Sequence, residues 1–191
     1  MVDLRQANVT AFIALGANMA PDDIDLREAL AQAAEAIGTY AEILTQSRTY
    51  RTPCFPAGAG PDYLNAAIAI EWQGESTDLL QRLHSIEQDF GRVRTTRWAA
   101  RSLDLDIIAH GALIAPDTTT VRSWINLSLD DQKTTVPDQL ILPHPRIQDR
   151  AFVLGPMMDI APDWHHPVLG LTIRQMWDTL PTTDRAAIQP V

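Results

Sequence analysis

The segment Arg101-Ser102-Leu103-Asp104-Leu105-Asp106-Ile107-Ile108 sets two carboxylates two residues apart in an apolar run. On a β-strand the side chains alternate. Asp104 and Asp106 then share one face, while Leu103, Leu105 and Ile107 point into a core. At about 3.3 Å per residue, the two Cα atoms lie roughly 6.6 Å apart. Paired carboxylates on a rigid face suit one or two Mg2+ ions, which take oxygen ligands and leave positions for substrate phosphates. Two metals roughly 3.5–4 Å apart would clamp the attacking and the leaving oxygen of a displacement. The competing reading is a pair of solvated acids on a half-exposed strand.

The preceding stretch favours the metal reading. Arg92, Arg94, Arg97 and Arg101 fall within ten residues that contain no acid. Fourteen of the fifteen basic residues are Arg, with Lys133 the exception. Arg presents a planar, multidentate fork to phosphate, which Lys does not. Metal to bridge phosphates and Arg to stabilise developing charge are what phosphoryl transfer requires. The competing reading of the cluster is a solvated basic face.

Other chemistries lack their residues. The chain has no Gly-x-x-x-x-Gly-Lys-Ser/Thr loop and no Gly-x-Gly-x-x-Gly, so neither a P-loop nor a dinucleotide fold supplies the phosphate site. His165-His166 are adjacent, point apart and are joined by no acid or cysteine cluster, so they read as a loop feature. Cys54 has no neighbouring His and reads as a packing or loop residue. Trp124 is compatible with local packing and with an interface.

The 191 residues suit one domain, 1–191, with a single core. A net charge of −9 argues against nucleic-acid or membrane-surface partners. No apolar run reaches the roughly 20 residues a bilayer span requires, and the N-terminus does not read as a secretory signal. A lone cysteine excludes an intramolecular disulfide and, with these features, points to the cytoplasm.

The elements that must hold the carboxylates follow from periodicity. Residues 11–15 read as a buried strand, ended by the turn residues Gly16-Ala17-Asn18. Pro21 and the acids 22, 23 and 25 open a helix whose apolar face is Leu26, Leu30, Ala33 and Ile37, and Gly38 stops it. Residues 41–51 read as one strand. Residues 52–62 hold three Pro and two Gly and form a surface loop. Leu64, Ala66, Ile68, Ile70 and Trp72 alternate, as on a half-buried strand. Ser76 is the expected N-cap of a second helix, striped by Leu79, Leu83, Ile86 and Phe90 and ended by Gly91. Leu103–Ala109 is the next strand. This order predicts an α+β fold with a ferredoxin-like βαββαβ core, its antiparallel sheet covered by helices on one side. Residues 115–139 read as an extended polar excursion. A Pro-rich turn follows, and the last forty residues add a strand and a short helix around Arg174–Thr179.

Four blocks resemble the 6-hydroxymethyl-7,8-dihydropterin pyrophosphokinases, over about residues 11–163. They are Ala11–Asn18; Tyr50–Pro53 with Pro61–Ala66; Ile86-Glu87 with Gly91–Arg94 and Arg97–Ile108; and Leu142–Arg146 with Arg150–Leu154. The resemblance implies transfer of the β,γ-pyrophosphoryl group of ATP to the hydroxymethyl group of a reduced pterin, leaving AMP. It implies that Asp104 and Asp106 hold two Mg2+ ions, that Asp104 helps to deprotonate the attacking hydroxyl, and that Arg92 and Arg101 grip phosphates. Arg94, Arg97 and Trp98 would lie on a closing loop. Glu87, His144 and Arg150 would serve the nucleotide, with Ile107 and Leu142 near adenine. Asn65 would read the pterin amide edge, Phe152 would stack on its ring, and Thr52, Pro53 and Phe55 would lie near it. Phe152 also fits a core aromatic, and Tyr63 fits both a core and a site position. The expected partners are ATP and the pterin, with the chain a monomer. Departures from the family pattern are Ala17 for a common Ser, Cys54 and Gly60 for Pro and Gln, Ala100 for Pro, and the length of 115–139.

Overall fold

The structure is a computed structural model that describes residues 9–19, 24–54, 60–91, 102–128, 131 and 134–191. The chain runs β1 (Val9–Ala17), α1 (Leu26–Gly38), β2 (Glu42–Gln46), β3 (Tyr50–Thr52), β4 (Tyr63–Trp72), α2 (Ser76–Asp89), β5 (Asp104–His110) and α3 (Thr118–Ile125). A 3-10 turn (Ile147–Asp149), α4 (Ala151–Ile160), α5 (Ile173–Thr179), α6 (Thr182–Ala186) and β6 (Gln189–Pro190) complete it. The class is α+β. The sheet order is β5-β1-β4-β3-β6, with β2 beside β4. Each pairing is antiparallel.

The first helix starts where its acids are. The Asp25 carboxylate accepts from Arg27 N and Glu28 N at 2.8 and 2.9 Å, satisfying two free donors of the first turn. At α2 the expectation is corrected. Glu75 occupies the N-cap position, and Ser76 is the first helical residue. Its hydroxyl instead meets His110 Nδ1 at 2.8 Å, tying α2 to the end of β5.

Residues 41–51 form two strands, not one. Gln46 pairs with Ile68 and Tyr50 with Asn65, so one strand spends an extra residue between the pairs. Ser47 fills the break, exchanging bonds with Ala67 through both backbone and hydroxyl. Strand β1 extends through Ala17, so Gly16 lies in the sheet and not in a turn.

Both faces of the sheet are covered, where helices on one side only were expected. Leu64, Ala66, Ile68, Ile70 and Trp72 pack with Leu103, Leu105 and Ile107 under α1 and α2. Phe12, Ala67, Ala69, Ile108 and Ala109 pack beneath α4 and α5, against Val153, Leu154, Met157, Ile173 and Met176. Strand β4 is therefore buried on both sides rather than half-buried. The register shift opposite Phe12 and Ile13 inserts Ile108 into β5, sending Ile107 to the first core and Ile108 to the second.

The polar excursion is not wholly extended, since it contains α3. Val121 of α3 is fully buried and packs with Ile141, Val168 and the half-buried Trp124, which thus takes part in local packing. The C-terminal region holds more helix than expected. His166 lies in a loop, as expected, but is fully buried there, and its Nδ1 accepts from Val168 N and Leu169 N, each at 3.2 Å.

Candidate functional site

Asp104 and Asp106 are each half-buried, and alternation on β5 puts them on the face opposite Leu105 and Ile107. That is the face α4 covers. The register places Gly16 directly between Asn65 of β4 and Asp104 of β5, and Ala14 between Ala67 and Asp106. Directly paired residues project to the same side. Tyr50, Asn65, Gly16 and Asp104 thus form one row across four strands. Its floor carries no side chain at Gly16, while Ala14 and Ala67 in the next row belong to the core beneath α4, so the sheet offers a shallow bay between an amide and two carboxylates. A Cβ at Gly16 would stand 3.1 Å from Asn65 Oδ1. Gly16 is a site residue the sequence reading missed. Glycine inside a strand is the signal for a close approach.

Asn65 is buried and oriented. Its Nδ2 donates to Thr52 Oγ1 at 2.8 Å, which turns Oδ1 toward Gly16 and the bay. Thr52 is buried, while Pro53 is exposed. Tyr63 is half-buried and pairs with Thr52 at the edge of the row. Phe55, Arg92, Arg94, Arg97, Trp98 and Arg101 lie outside the described residues.

The other wall comes from the Pro-rich turn and the start of α4. His144 N donates to Ile108 O at 2.8 Å, clipping the turn to β5. Arg146 N donates to His144 Nδ1 at 3.1 Å, so the proton of the neutral ring sits on Nε2. Burial and then the Arg150 charge pull the His144 pKa down to about 3. The ring is therefore neutral near pH 7. Arg150 Nη1 lies 3.5 Å from His144 Nε2. With Nε2 protonated, two donors converge there, an arrangement that favours an anion between them. Burial depresses the Arg150 pKa, and Asp106, Asp149 and Asp104 oppose the shift. The Phe152 ring lies 5.6 Å from the Arg150 guanidinium and is 40% exposed, so it is not a core aromatic.

Three expected nucleotide residues lie behind the sheet. Ile107 and Leu142 are buried in the core under α1 and α2. Glu87 is also buried, and its Oε1 accepts from Leu105 N at 2.8 Å, fixing the backbone between the two site aspartates. β5 is an edge strand, so the two groups are separated by one strand's width.

The donor set can be tested against Mg2+. Among the described residues, no three His, Cys, Asp or Glu gather into a self-sufficient cage. Two half-buried carboxylates on one strand face are what Mg2+ accepts when phosphate oxygens and water complete its octahedron, so the residues fit. Among the described residues, no helix is long and apolar enough to cross a membrane.

The profile of the 7,8-dihydro-6-hydroxymethylpterin-pyrophosphokinase (HPPK) family matches residues 12–162. The 2-amino-4-hydroxy-6-hydroxymethyldihydropteridine pyrophosphokinase of Synechocystis sp. is 35% identical over 189 residues, 99% of this chain and 84% of that protein. The protein of the same name from Haemophilus influenzae is 32% identical over 155 residues, 81% of this chain and 83% of its own length. In structure, the wild-type HPPK-DHPS of Plasmodium falciparum superposes with a TM-score of 0.64 at 15% identity, covering 90% of this chain. The chain spans 44% of that longer protein, a likeness of fold. The chain belongs to the 7,8-dihydro-6-hydroxymethylpterin-pyrophosphokinase family.

Proposed function

We propose that the chain transfers pyrophosphate from ATP to 6-hydroxymethyl-7,8-dihydropterin, giving AMP and the pterin diphosphate, a step of folate synthesis. Family membership supplies the reaction. The observation that carries the site is the row Asn65–Gly16–Asp104, with Asp106 beside it. It sets a hydrogen-bonding amide and a pair of carboxylates at opposite ends of one bay. The strand order supports a ferredoxin-like reading of the core, and a single domain over 1–191.

The pterin would enter at the Asn65 end. Asn65 Oδ1, aimed by Thr52, accepts from the amino edge of the heterocycle, with Phe152 at its ring face and Pro53 and Phe55 beside it. The hydroxymethyl oxygen then points toward Asp104. It attacks the β-phosphorus of ATP, the bond from that phosphorus to the α,β-bridging oxygen breaks, and AMP leaves with the electron pair. Asp104 is placed to take the hydroxyl proton. Asp106 and Asp104 would together hold two Mg2+ ions, which would neutralise the phosphate charge. His144 and Arg150 offer converging donors to a phosphate oxygen. Arg92 and Arg101 are assigned to the phosphates, and Arg94, Arg97 and Trp98 to a closing loop, from sequence alone. The base would pass the outer edge of β5 toward Glu87, Ile107 and Leu142. The lone, buried Cys54 and the net charge of −9 support a cytoplasmic, monomeric enzyme.

The test is incubation of the chain with Mg2+, ATP and the pterin, with and without each component. AMP and pterin diphosphate form only in the complete mixture. ADP as product, or no turnover, defeats the reading.

A further inference from the structure

The excursion at 115–139 begins beside the nucleotide-side turn. Ala115 and Leu142 exchange backbone hydrogen bonds, Ala115 N to Leu142 O at 2.9 Å and Leu142 N to Ala115 O at 3.0 Å. Helix α3 then folds back over the turn. Asp117 caps it, accepting from Thr120 N at 2.9 Å. Val121 inserts between Ile141 and Val168, and Arg122 Nη2 donates to Val168 O at 3.1 Å. The helix ends with Ile125 O pointing at Arg146.

Arg146 links this helix to the site. Its Nη1 donates to Ile125 O at 3.3 Å, and its Nη2 pairs with the Asp149 carboxylate. The last carbonyls of a helix lack intrahelical partners and form the negative end of its dipole, so a guanidinium there is well placed. The planar fork is what lets one side chain hold both acceptors. The side chain is only 15% exposed. Its own backbone N–H is the donor that fixes His144 Nδ1, and Arg150 follows one residue after Asp149. Helix α3, Arg146, His144 and β5 are thus connected by consecutive contacts.

We infer that α3 is a brace for the nucleotide-side turn, with Arg146 as the positioning residue that transmits it. By holding Ile125 O and Asp149 together, Arg146 keeps its backbone N–H on His144 and keeps the His144 and Arg150 donors converged. This rests on the reading that those donors serve ATP. It assigns to the excursion a role in nucleotide affinity rather than in pterin recognition, because Asn65, Thr52 and Gly16 lie on strands the brace does not touch.

The test compares the full-length wild type with Arg146→Ala and Arg146→Lys. Calorimetry with Mg-ATP is expected to show affinity about tenfold weaker in Arg146→Ala, the loss of roughly one charge-assisted hydrogen bond. KM for ATP rises by a similar factor, while KM for the pterin and kcat stay within about twofold of wild type. Arg146→Lys recovers part of the loss, since an ammonium reaches one acceptor but not both. Wild-type Mg-ATP affinity in Arg146→Ala overturns the brace. So does an equal rise in both KM values with a lowered melting temperature, which marks a merely structural residue. Failure of the pyrophosphokinase reading shows separately, as no AMP formed by the wild type.

Discussion

Asn65 and Asp104 face each other across a single residue: each is the Cα partner of Gly16, one on β4 and the other on β5. Two strand spacings, about 9.5 Å, separate them, and Gly16 puts no side chain between them. The Gly16→Val variant tests this relationship. Valine suits a strand, but its Cβ would start 3.1 Å from Asn65 Oδ1 and its methyls would fill the bay. Overpacking of this kind costs about 1–3 kcal/mol. We expect KM for the pterin to rise by roughly tenfold or more, with Mg-ATP affinity nearly unchanged. Steady-state kinetics in each substrate check it. An equal effect on both substrates would count against a pterin bay over Gly16.

Asp106→Ala removes one of the two carboxylates that face the bay beside Ala14. The side chain is half-buried, so its removal leaves no core cavity. Several kcal/mol of transition-state stabilisation would go with the metal, so kcat should fall roughly 100-fold to 1000-fold. The fold should stay intact: relief of the Asp104–Asp106 repulsion offsets the lost attraction to the buried Arg150, which Asp149 and Asp104 still face. Chromatographic measurement of AMP, alongside thermal unfolding, reads both. Near-normal turnover would contradict the metal assignment.

These residues show what a sequence makes legible. Asp104 and Asp106 could be placed on one face because strand alternation is local. Helices α1 and α2 were visible because their apolar residues recur with helical spacing on one side. Helix α4 was not. Its sequence, Ala151 to Ile160, is apolar nearly all round and contains Pro156, so it carries no stripe to read. Without a stripe on α4, nothing in the sequence pattern covers the second face of the sheet. The break between β2 and β3 escaped because the extra residue is defined only against β4. The place of Gly16 between Asn65 and Asp104 is a matter of register across three strands. The reach of Arg146 to Ile125 is tertiary, and residue types alone do not specify it.

Asp159, near the end of α4, fastens the second layer to the break between β2 and β3. Its carboxylate accepts from Arg48 N at 3.0 Å, Arg48 Nε at 3.1 Å, Arg48 Nη2 at 2.7 Å and Tyr50 Oη at 2.9 Å. Partial burial would raise its pKa, but the Arg48 and Tyr50 hydrogen bonds outweigh it and hold the group below the usual carboxylate value. A depressed folded pKa gives stability that is present above the unfolded value, about 3.9, and lost as pH falls through the folded one. Asp159→Asn should therefore melt roughly 2–4 °C below wild type near neutral pH, the effect of about one net hydrogen bond. The gap should narrow below about pH 4. Thermal scans across that range check it, and a gap that persists in acid would place its origin elsewhere.

His166 supplies the complementary acid response. The ring is fully buried, and Nδ1 is already engaged by Val168 N and Leu169 N. Among the described residues Nε2 has no hydrogen-bond partner, and Trp164 packs edge-on at 5.8 Å. Nothing there welcomes a positive charge, and burial lowers the pKa to about 4. The unfolded chain titrates at about 6.5. Between the two values the unfolded state binds a proton that the folded state refuses, so stability falls as pH drops, by about 1.4 kcal/mol per pH unit for each such histidine. His144, also held neutral, contributes with the same sign. In His166→Asn, Oδ1 can stand in for Nδ1 as acceptor, and the side chain does not titrate. The variant should lose some stability at neutral pH through poorer packing. Its stability should nevertheless fall less steeply than that of wild type between about pH 6.5 and pH 4, keeping the shares of His144 and of His110, whose pKa burial also lowers. Urea unfolding at intervals through that window gives the two slopes. Equal slopes would show that the proton refused on folding does not belong to His166.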